Sequence, residues 1–149
     1  MTPPVLTESA VMLNADAADW RAAVRLAGLA LTACGATLVG YSDEMIRMIE
    51  EHGPYVVIAP GLALAHARPG PDVLRDGLAV VTLSTPVKFG HPHNDPVRVV
   101  LGLAIKSADT HIEAVAELAN IFNDSSAIED LATATTAARV LSIMRGTGQ

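Results

Sequence analysis

The chain has 149 residues, half of them apolar and only 3% aromatic, so it can form one core built from alanine, valine, leucine and isoleucine. The formal charge of −6 and the lack of a basic stripe argue against nucleic acid as a partner, because an acidic surface repels phosphates. The single cysteine, Cys34, excludes an internal disulfide and a thiolate cluster for zinc. We therefore expect one domain spanning residues 1–149.

The longest uncharged stretch argues against membrane insertion. It runs from Leu26 to Tyr41, and three glycines and two threonines interrupt it. A membrane-spanning helix needs roughly 20 consecutive apolar residues, which this stretch does not reach. We expect a cytoplasmic protein with no direct membrane insertion.

Two amphipathic helices are predicted in the first third of the chain. The first covers residues 16–32, with Asp16 as its N-cap and Gly35 as its C-terminal stop. Ser42 is predicted to cap the second, which ends near residues 52–54. The buried face of this second helix is predicted to consist of Met45, Ile46 and Ile49.

Short apolar runs in the middle of the chain predict strands. Residues 55–58 and 62–65 form two such runs, joined by the turn pair Pro60 and Gly61. The runs at 77–82 and 97–105 are almost continuously apolar, which is typical of strands covered on both faces.

Helices return in the last third of the chain. Asp109 or Thr110 is the predicted cap of a third helix, and two more helices are predicted over residues 126–133 and 136–144. The predicted buried face of the third helix consists of Ile112, Val115, Leu118, Ala119 and Phe122. Helices that alternate with buried strands indicate an α/β sandwich of sheet and helices.

His66 is the strongest candidate for a chemical role. It follows an apolar strand and precedes Arg68 and Pro69, so it should lie where the strand ends, at a sheet edge or cleft. A neutral imidazole offers a nucleophilic nitrogen at cellular pH, and a guanidinium suits a phosphate oxyanion. His111 opens the third helix, at an end that favours anions. These residues are compatible with phosphoryl transfer, provided that they meet in space.

The other three histidines have less distinctive surroundings. His52 is predicted at a helix end, where an imidazole interacts favourably with the helix dipole. His91, His93 and Asp95 lie within a loop marked by glycine and proline. The loop could face solvent or substrate, and the same residues also allow a metal-dependent hydrolase, which would retain a bound metal after purification.

Residues 53–69 (GPYVVIAPGLALAHARP) carry a resemblance to a known family. They resemble the phosphohistidine segment of enzyme IIA proteins of the phosphotransferase system (PTS), mannitol/fructose type. The Gly-Pro-Tyr start and the His-Ala-Arg-Pro finish are most similar to the ascorbate-type IIA branch. Phe89-Gly90 followed by residues 94–97, and Thr110-His111-Ile112 leading a helix, also agree. The resemblance extends from the first helix to about Leu141.

The resemblance implies a three-layer α/β/α sandwich with a mixed β-sheet. It also implies a role as a phosphocarrier that accepts phosphate from the carrier HPr and passes it to a cysteine of an enzyme IIB component, which feeds the membrane permease IIC. By position, His66 matches the phosphorylated histidine, His111 the second active-site histidine, and Arg68 a residue beside the phosphorylation site. No cofactor or metal is implied.

Two departures from the family pattern narrow this interpretation. Ala65 replaces the proline that usually precedes the active histidine, which relaxes the backbone there. In the helix before the segment, Glu50 and Glu51 stand where the mannitol branch has an arginine. The second departure argues against mannitol as the sugar.

Two questions stay open at this point. A regulatory module, in which phosphorylation of His66 controls a protein partner, needs the same histidine as a transport component. Partners must also approach His66, and we expect an apolar patch formed by Leu62, Leu64, Pro69 and the loop at 89–96.

Overall fold

A computed structural model describes residues 6–123 and 126–146, without the side chains of residues 108, 110, 111, 145 and 146. After a short 3-10 turn at Glu8–Ala10, the elements are β1 (Val11–Ala15), α1 (Trp20–Ala33), α2 (Tyr41–His52), β2 (Val57–Ala59), β3 (Leu62–His66), β4 (Gly77–Val87), β5 (Val97–Ala104), α3 (Ala108–Ile121), α4 (Ser126–Ala132) and α5 (Ala137–Gly146). Within these described residues, no helix combines the length and the apolar character needed to cross a membrane.

The strands of the described chain form one mixed sheet in the order β1-β4-β5-β3-β2. The pairs β1 with β4 and β3 with β5 are parallel, whereas β4 with β5 and β2 with β3 are antiparallel. Strands β2 to β5 correspond to the four predicted apolar runs, although β4 continues to Val87, and the predicted turn joins β2 to β3. Strand β1 was not predicted: it is partly exposed, and Asn14 interrupts it with a positive φ of 52°.

Each face of the sheet supports its own core, which confirms the predicted α/β sandwich. One face carries mostly alanine and valine and packs against α1 and α2. The opposite face carries mostly leucine and packs against α3, α4 and α5. In β3 the alternation is strict: Ala63 and Ala65 face the first layer, while Leu62 and Leu64 face the second.

Small residues allow α1 to lie close to both the sheet and α2. A Cβ atom added to Gly102 of β5 would lie 3.3 Å from the carbonyl oxygen of Ala27 in α1. A Cβ atom added to Gly28 would lie 1.8 Å from Oγ of Ser42, at the start of α2. The positions of α1 and α2 therefore depend on glycine at these contacts.

The first two helices begin at residues other than those predicted. Helix α1 begins at Trp20 because Asp19, not Asp16, accepts a hydrogen bond from the N–H of Ala22 at 2.9 Å. The carboxylate of Asp16 instead accepts a hydrogen bond from Ser84. Gly35, with a φ of 82°, follows the end of α1 as predicted.

Helix α2 begins at Tyr41 after Gly40, so Ser42 lies inside the helix rather than at its cap. The Ser42 side chain is buried, in the position where α2 meets Gly28. The predicted buried face of this helix is confirmed. It consists of Met45, Ile46 and Ile49.

Helix α3 begins earlier than predicted, and part of its predicted buried face is confirmed. Ser107 is its N-cap and accepts a hydrogen bond from the N–H of Asp109, so neither Asp109 nor Thr110 is the cap. Ile112 is 77% exposed, and Ala119 is also exposed. Leu118 and Phe122 are buried as predicted, Val115 is half-buried, and Ala114 is buried although it was not predicted to be. The predicted α4 and α5 are present, with ends that differ by one or a few residues.

We predict that Gly28→Ala lowers the free energy of unfolding by about 1–3 kcal/mol, because the new methyl group clashes with Ser42. Without this contact, the same change inside a helix would stabilise by about 1 kcal/mol. Adding Ser42→Gly removes the Oγ and Cβ atoms and should restore part of the loss. Urea unfolding followed by circular dichroism measures both variants, and a double variant no more stable than Gly28→Ala would contradict the contact.

Candidate functional site

His66 is the last residue of β3 and lies at one edge of the sheet. Its partner on the parallel strand β5 is Leu103, next to the last residue of that strand. Parallel strands end at the same edge, so the chain leaving β5 begins near the chain leaving β3. The imidazole is only partly buried. His66 therefore occupies the strand-end position that the sequence predicted.

The imidazole of His66 is held by the backbone of its own strand. Its Nδ1 lies 2.7 Å from the carbonyl oxygen of Leu64. A carbonyl oxygen can only accept, so Nδ1 carries the hydrogen and donates it. In the neutral ring the lone pair then resides on Nε2, which fixes Nε2 as the nucleophilic atom.

Tyr55 contacts both the ring and the backbone of His66. Its hydroxyl donates a hydrogen bond to the His66 carbonyl oxygen at 3.0 Å. The two rings are nearly perpendicular, at 86°, with their centroids 5.4 Å apart. Partial burial raises the pKa of the Tyr55 hydroxyl, and the nearby positive charge of Arg68 opposes that shift.

Tyr41 holds the chain directly after His66. Its buried hydroxyl accepts a hydrogen bond from the N–H of Ala67 at 3.0 Å and lies 2.9 Å from the carbonyl oxygen of Leu103, to which it donates. The Ala67 carbonyl oxygen lies farther away, at 3.3 Å. Burial raises the pKa of Tyr41 to about 12, so the hydroxyl stays protonated near neutrality.

Arg68 lies in the segment that follows β3, and its side chain is exposed. Together with residues 69–72 it borders a shallow depression whose other wall includes Tyr41 and Glu44. The Glu44 carboxylate forms an ion pair with Arg47, which lowers the Glu44 pKa. Arg68 is two residues from His66 in the chain, and its positive charge acts on Tyr55, whose ring contacts that of His66.

His111 is the fourth residue of α3, and its side chain lies outside the described part of the structure. Its backbone position follows from topology. Strand β5 ends at Ala104, and α3 begins after Ser107, so the first turn of α3 starts at the edge where His66 lies. The topology therefore brings the backbone segments of both histidines to one edge of the sheet.

The loop at 89–96 is organised by hydrogen bonds to its own backbone. The carboxylate of Asp95 accepts from the N–H groups of Phe89, Gly90 and His91, at 2.7 to 3.0 Å. Nδ1 of His91 accepts from the N–H groups of His93 and Asn94. Asp95 and His91 thus already hold the loop together. Among the described side chains, no three of the His, Cys, Asp or Glu type are placed to share a metal ion.

The burial of Leu62 and Leu64 contradicts the expected apolar patch around His66. Both were expected to be exposed, but both are fully buried, because each face of β3 is covered by helices.

His52 lies at the end of α2 as predicted. Its side chain is exposed, and its ring centroid is 6.5 Å from that of Tyr55.

The sequence analysis missed the roles of Tyr41 and Tyr55. Tyr41 directly precedes the predicted cap of the second helix, and Tyr55 opens a predicted strand, where an aromatic ring normally serves packing. The available signal was the hydroxyl group, because the hydroxyl of a packed tyrosine usually finds a hydrogen-bond partner. The partners here are backbone atoms, which residue types do not reveal.

Comparison with known proteins supports one family. The family model described as "Phosphoenolpyruvate-dependent sugar phosphotransferase system, EIIA 2" matches residues 4–146. The ascorbate-specific PTS system EIIA component of Shigella boydii serotype 4 is 36% identical over 135 residues, which cover 90% of this chain and 88% of that protein.

Solved structures with the same fold include a mannitol IIA protein in complex with its IIB partner and a nitrogen regulatory protein. The complex of enzyme IIA mannitol with phosphorylated enzyme IIB mannitol from Escherichia coli matches with a TM-score of 0.83 and 26% identity, over 98% of this chain and 99% of that chain. The nitrogen regulatory protein IIA-Ntr from Neisseria meningitidis matches with a TM-score of 0.81 and 25% identity, over 94% and 96% of the two chains.

We predict that the stability contributed by Tyr41 is lost at alkaline pH. The pKa of Tyr41 is about 12 in the folded protein and about 10 in an unfolded chain. A raised folded pKa means that the contribution is complete below pH 10 and declines as pH rises through 12, by about 2–3 kcal/mol. Urea unfolding of the wild type and of Tyr41→Phe between pH 8 and 12 measures this contribution to the free energy of unfolding. The stability difference between the two proteins should shrink above pH 10, and a constant difference would contradict the assignment.

Proposed function

Because this chain belongs to the EIIA 2 family of the phosphoenolpyruvate-dependent sugar phosphotransferase system, we propose that it carries a phosphoryl group on Nε2 of His66. The observation that carries the proposal is the hydrogen bond from Nδ1 of His66 to the carbonyl oxygen of Leu64. It leaves the lone pair on Nε2 and orients the ring at the end of β3. The phosphoryl group arrives from HPr and leaves to an enzyme IIB component.

The transfer conserves atoms and electrons without a cofactor. The Nε2 lone pair forms a bond to phosphorus as the bond between phosphorus and the HPr imidazole breaks, and that imidazole keeps the electron pair. The ring of His66 becomes more positive as the new bond forms. The Nδ1–H bond to Leu64 then becomes charge-assisted, so it stabilises the phosphorylated ring more than the free ring. A second transfer passes the phosphoryl group to a cysteine of IIB.

We assign supporting roles to Arg68 and His111. The exposed guanidinium of Arg68 follows His66 by two residues and suits phosphoryl oxygens as they approach. His111 lies in the first turn of α3, where the helix dipole favours an anion. The proposed role of His111 is to buttress the phosphorylated histidine. Neither role requires a metal, because positioning and hydrogen bonds can stabilise a phosphoryl group in transfer.

The proposed partners are HPr, the cognate IIB component and, through IIB, the IIC permease. The fold shared with an IIA protein solved in complex with phosphorylated IIB supports the IIB partner. We propose that residues 1–149 act as one EIIA domain in the cytoplasm, where its protein partners meet it in turn. Nucleic acid is not among the proposed partners, in keeping with the net charge of −6.

We propose ascorbate as the sugar of this system. The support is the 36% identity to an EIIA component described as ascorbate-specific. Glu50 and Glu51, where the mannitol branch has an arginine, argue against mannitol and are neutral for ascorbate. Growth on ascorbate of a bacterial strain that lacks its own ascorbate IIA component tests the assignment. Growth restored by this chain, and not by its His66→Gln variant, is the expected result.

A regulatory role is the second candidate. It is favoured by the similarity to a nitrogen regulatory protein of the same fold. In this case phosphorylation of His66 would change the affinity for a protein partner, without onward transfer to IIB. The two functions therefore differ in the fate of the phosphoryl group.

We predict that enzyme I, HPr and phosphoenolpyruvate place one acid-labile phosphate on the wild type and none on His66→Gln. Glutamine keeps a polar side chain of similar length but lacks the nucleophilic imidazole. His52→Gln is the matched control, because His52 is also near Tyr55 but on the exposed side, and it should be phosphorylated normally. Incorporation of labelled phosphate measures all three.

Purified IIB added to the phosphorylated protein separates the two candidate functions. Transfer of label to IIB is expected for the transport component. Stable label on His66 in the presence of cognate IIB would favour the regulatory role. A wild type that accepts no phosphate from cognate HPr would contradict both.

We predict that Arg68→Gln slows phosphorylation of His66 by about tenfold. This factor corresponds to the lower end of the free-energy range for a hydrogen bond from a charged group, because the guanidinium is exposed and screened by solvent. Arg68→Lys keeps the charge but not the planar fork, so its rate should lie between those of Arg68→Gln and the wild type. Arg139→Gln is the control, since Arg139 is an exposed arginine on α5. Equal rates for Arg68→Gln and Arg139→Gln would remove Arg68 from the site.

A further inference from the structure

The peptide group between His66 and Ala67 is held at both of its polar atoms by tyrosine hydroxyls. Tyr55 donates to the carbonyl oxygen of this group at 3.0 Å. Tyr41 accepts from its N–H, also at 3.0 Å. The two tyrosines come from different segments, one at the start of α2 and the other just before β2. Together they restrain rotation of the peptide plane that follows the histidine.

The Tyr41 side of this arrangement is anchored to the sheet. The same hydroxyl donates to the carbonyl oxygen of Leu103, the residue that pairs with His66 across β3 and β5. The phenol therefore extends the contact between the two strands one residue beyond the end of β3. Its buried position excludes water that would otherwise compete for these bonds.

The Tyr55 side reaches the imidazole itself. The Tyr55 ring stands nearly perpendicular to the ring of His66, while its hydroxyl holds the His66 carbonyl. Edge-to-face packing of this kind favours one orientation of the imidazole. Tyr55 is 38% exposed, so it can act on the histidine without being a major part of the core.

The two hydroxyls act where the strand pairing ends. Up to His66 the backbone is restrained by the parallel pairing of β3 with β5, in which Ala65 lies opposite Gly102 and His66 opposite Leu103. His66 is the last residue of β3, so the hydrogen bonds of the two tyrosines restrain the peptide group that follows the strand.

We propose that Tyr55 is a positioning residue for His66, which works with Tyr41 to fix the His66–Ala67 peptide and so keeps Nδ1–H directed at Leu64 and the lone pair on Nε2. The kinetic part of this proposal rests on the phosphocarrier function proposed above. The geometric part concerns the unphosphorylated protein alone. Loss of the Tyr55 hydroxyl lets the peptide rotate, and the Nδ1 hydrogen bond weakens in consequence.

Tyr55→Phe tests the hydroxyl while keeping the ring. We expect kcat for phosphorylation by phospho-HPr to fall by about threefold to tenfold, the range for loss of a neutral hydrogen bond. The KM for phospho-HPr should stay unchanged. In ¹⁵N nuclear magnetic resonance spectra of the unphosphorylated protein, the Nε2–H tautomer of His66 should rise from a minor to a readily measured population. Tyr55→Leu, which also loses the ring, should show larger changes of the same kind.

Thermal unfolding of each variant shows whether the fold is kept, and His52→Gln is the control for a change on the other side of the Tyr55 ring. The proposal would be overturned if, in Tyr55→Phe, either kcat or the population of the Nε2–H tautomer stayed at its wild-type value. An effect on KM alone would overturn it too and assign Tyr55 to partner docking. A wild type that accepts no phosphate would instead contradict the proposed function, while the tautomer measurement would still test the positioning role.

Discussion

The hydroxyl of Tyr41 joins three elements that are distant in the sequence. It belongs to the first residue of α2, accepts from Ala67 just after β3, and donates to Leu103 on β5, 62 residues away. A buried hydroxyl without partners would cost free energy, so the fold that satisfies these bonds is strongly favoured over close alternatives. The place where β3 ends, and with it the place of His66, therefore depends on a side chain from the helical layer.

Tyr41 reaches this place because of the small residues beneath it. Glycine at position 28 lets α2 approach α1, and Gly102 lets α1 approach β5. The alanines on the same face of β3 contribute little height, so the helical layer lies close to the sheet. The leucines on the opposite face pack against α3, α4 and α5. The smaller residues of β3 thus lie on the face that is covered by the helix carrying Tyr41.

Sequence patterns predicted the features of this molecule that depend on neighbouring residues in the chain, such as buried strands and the residues at which they end. The buried strands β3, β4 and β5 show as apolar runs, and His66 is placed at a strand end because Pro69 and Gly70 follow it. The edge strand β1 escaped prediction because only one side of it pairs and Asn14 interrupts it. The starts of α1, α2, α3 and α5 differ from the prediction by one to four residues, whereas α4 begins at Ser126 as predicted.

The errors near the site have a common cause. Leu62 and Leu64 were expected at the surface because they neighbour His66 in the sequence, yet β3 is covered on both faces. The tyrosine hydroxyls bind backbone atoms, and a backbone partner leaves no trace in residue types. Contacts of this kind depend on tertiary structure alone, so a single sequence cannot predict them.

The choice of a carbonyl group as the partner of Nδ1 has a chemical consequence. A carboxylate in that position would raise the imidazole pKa and favour the imidazolium form, in which Nε2 has no lone pair. The neutral carbonyl of Leu64 fixes the same tautomer with less effect on the charge of the ring. In the proposed phosphorylated state this bond would strengthen, because the ring would then be positive. A carrier of the proposed kind has to accept a phosphoryl group and also release it, and a neutral partner leaves the free and phosphorylated states closer in free energy than an anionic one would.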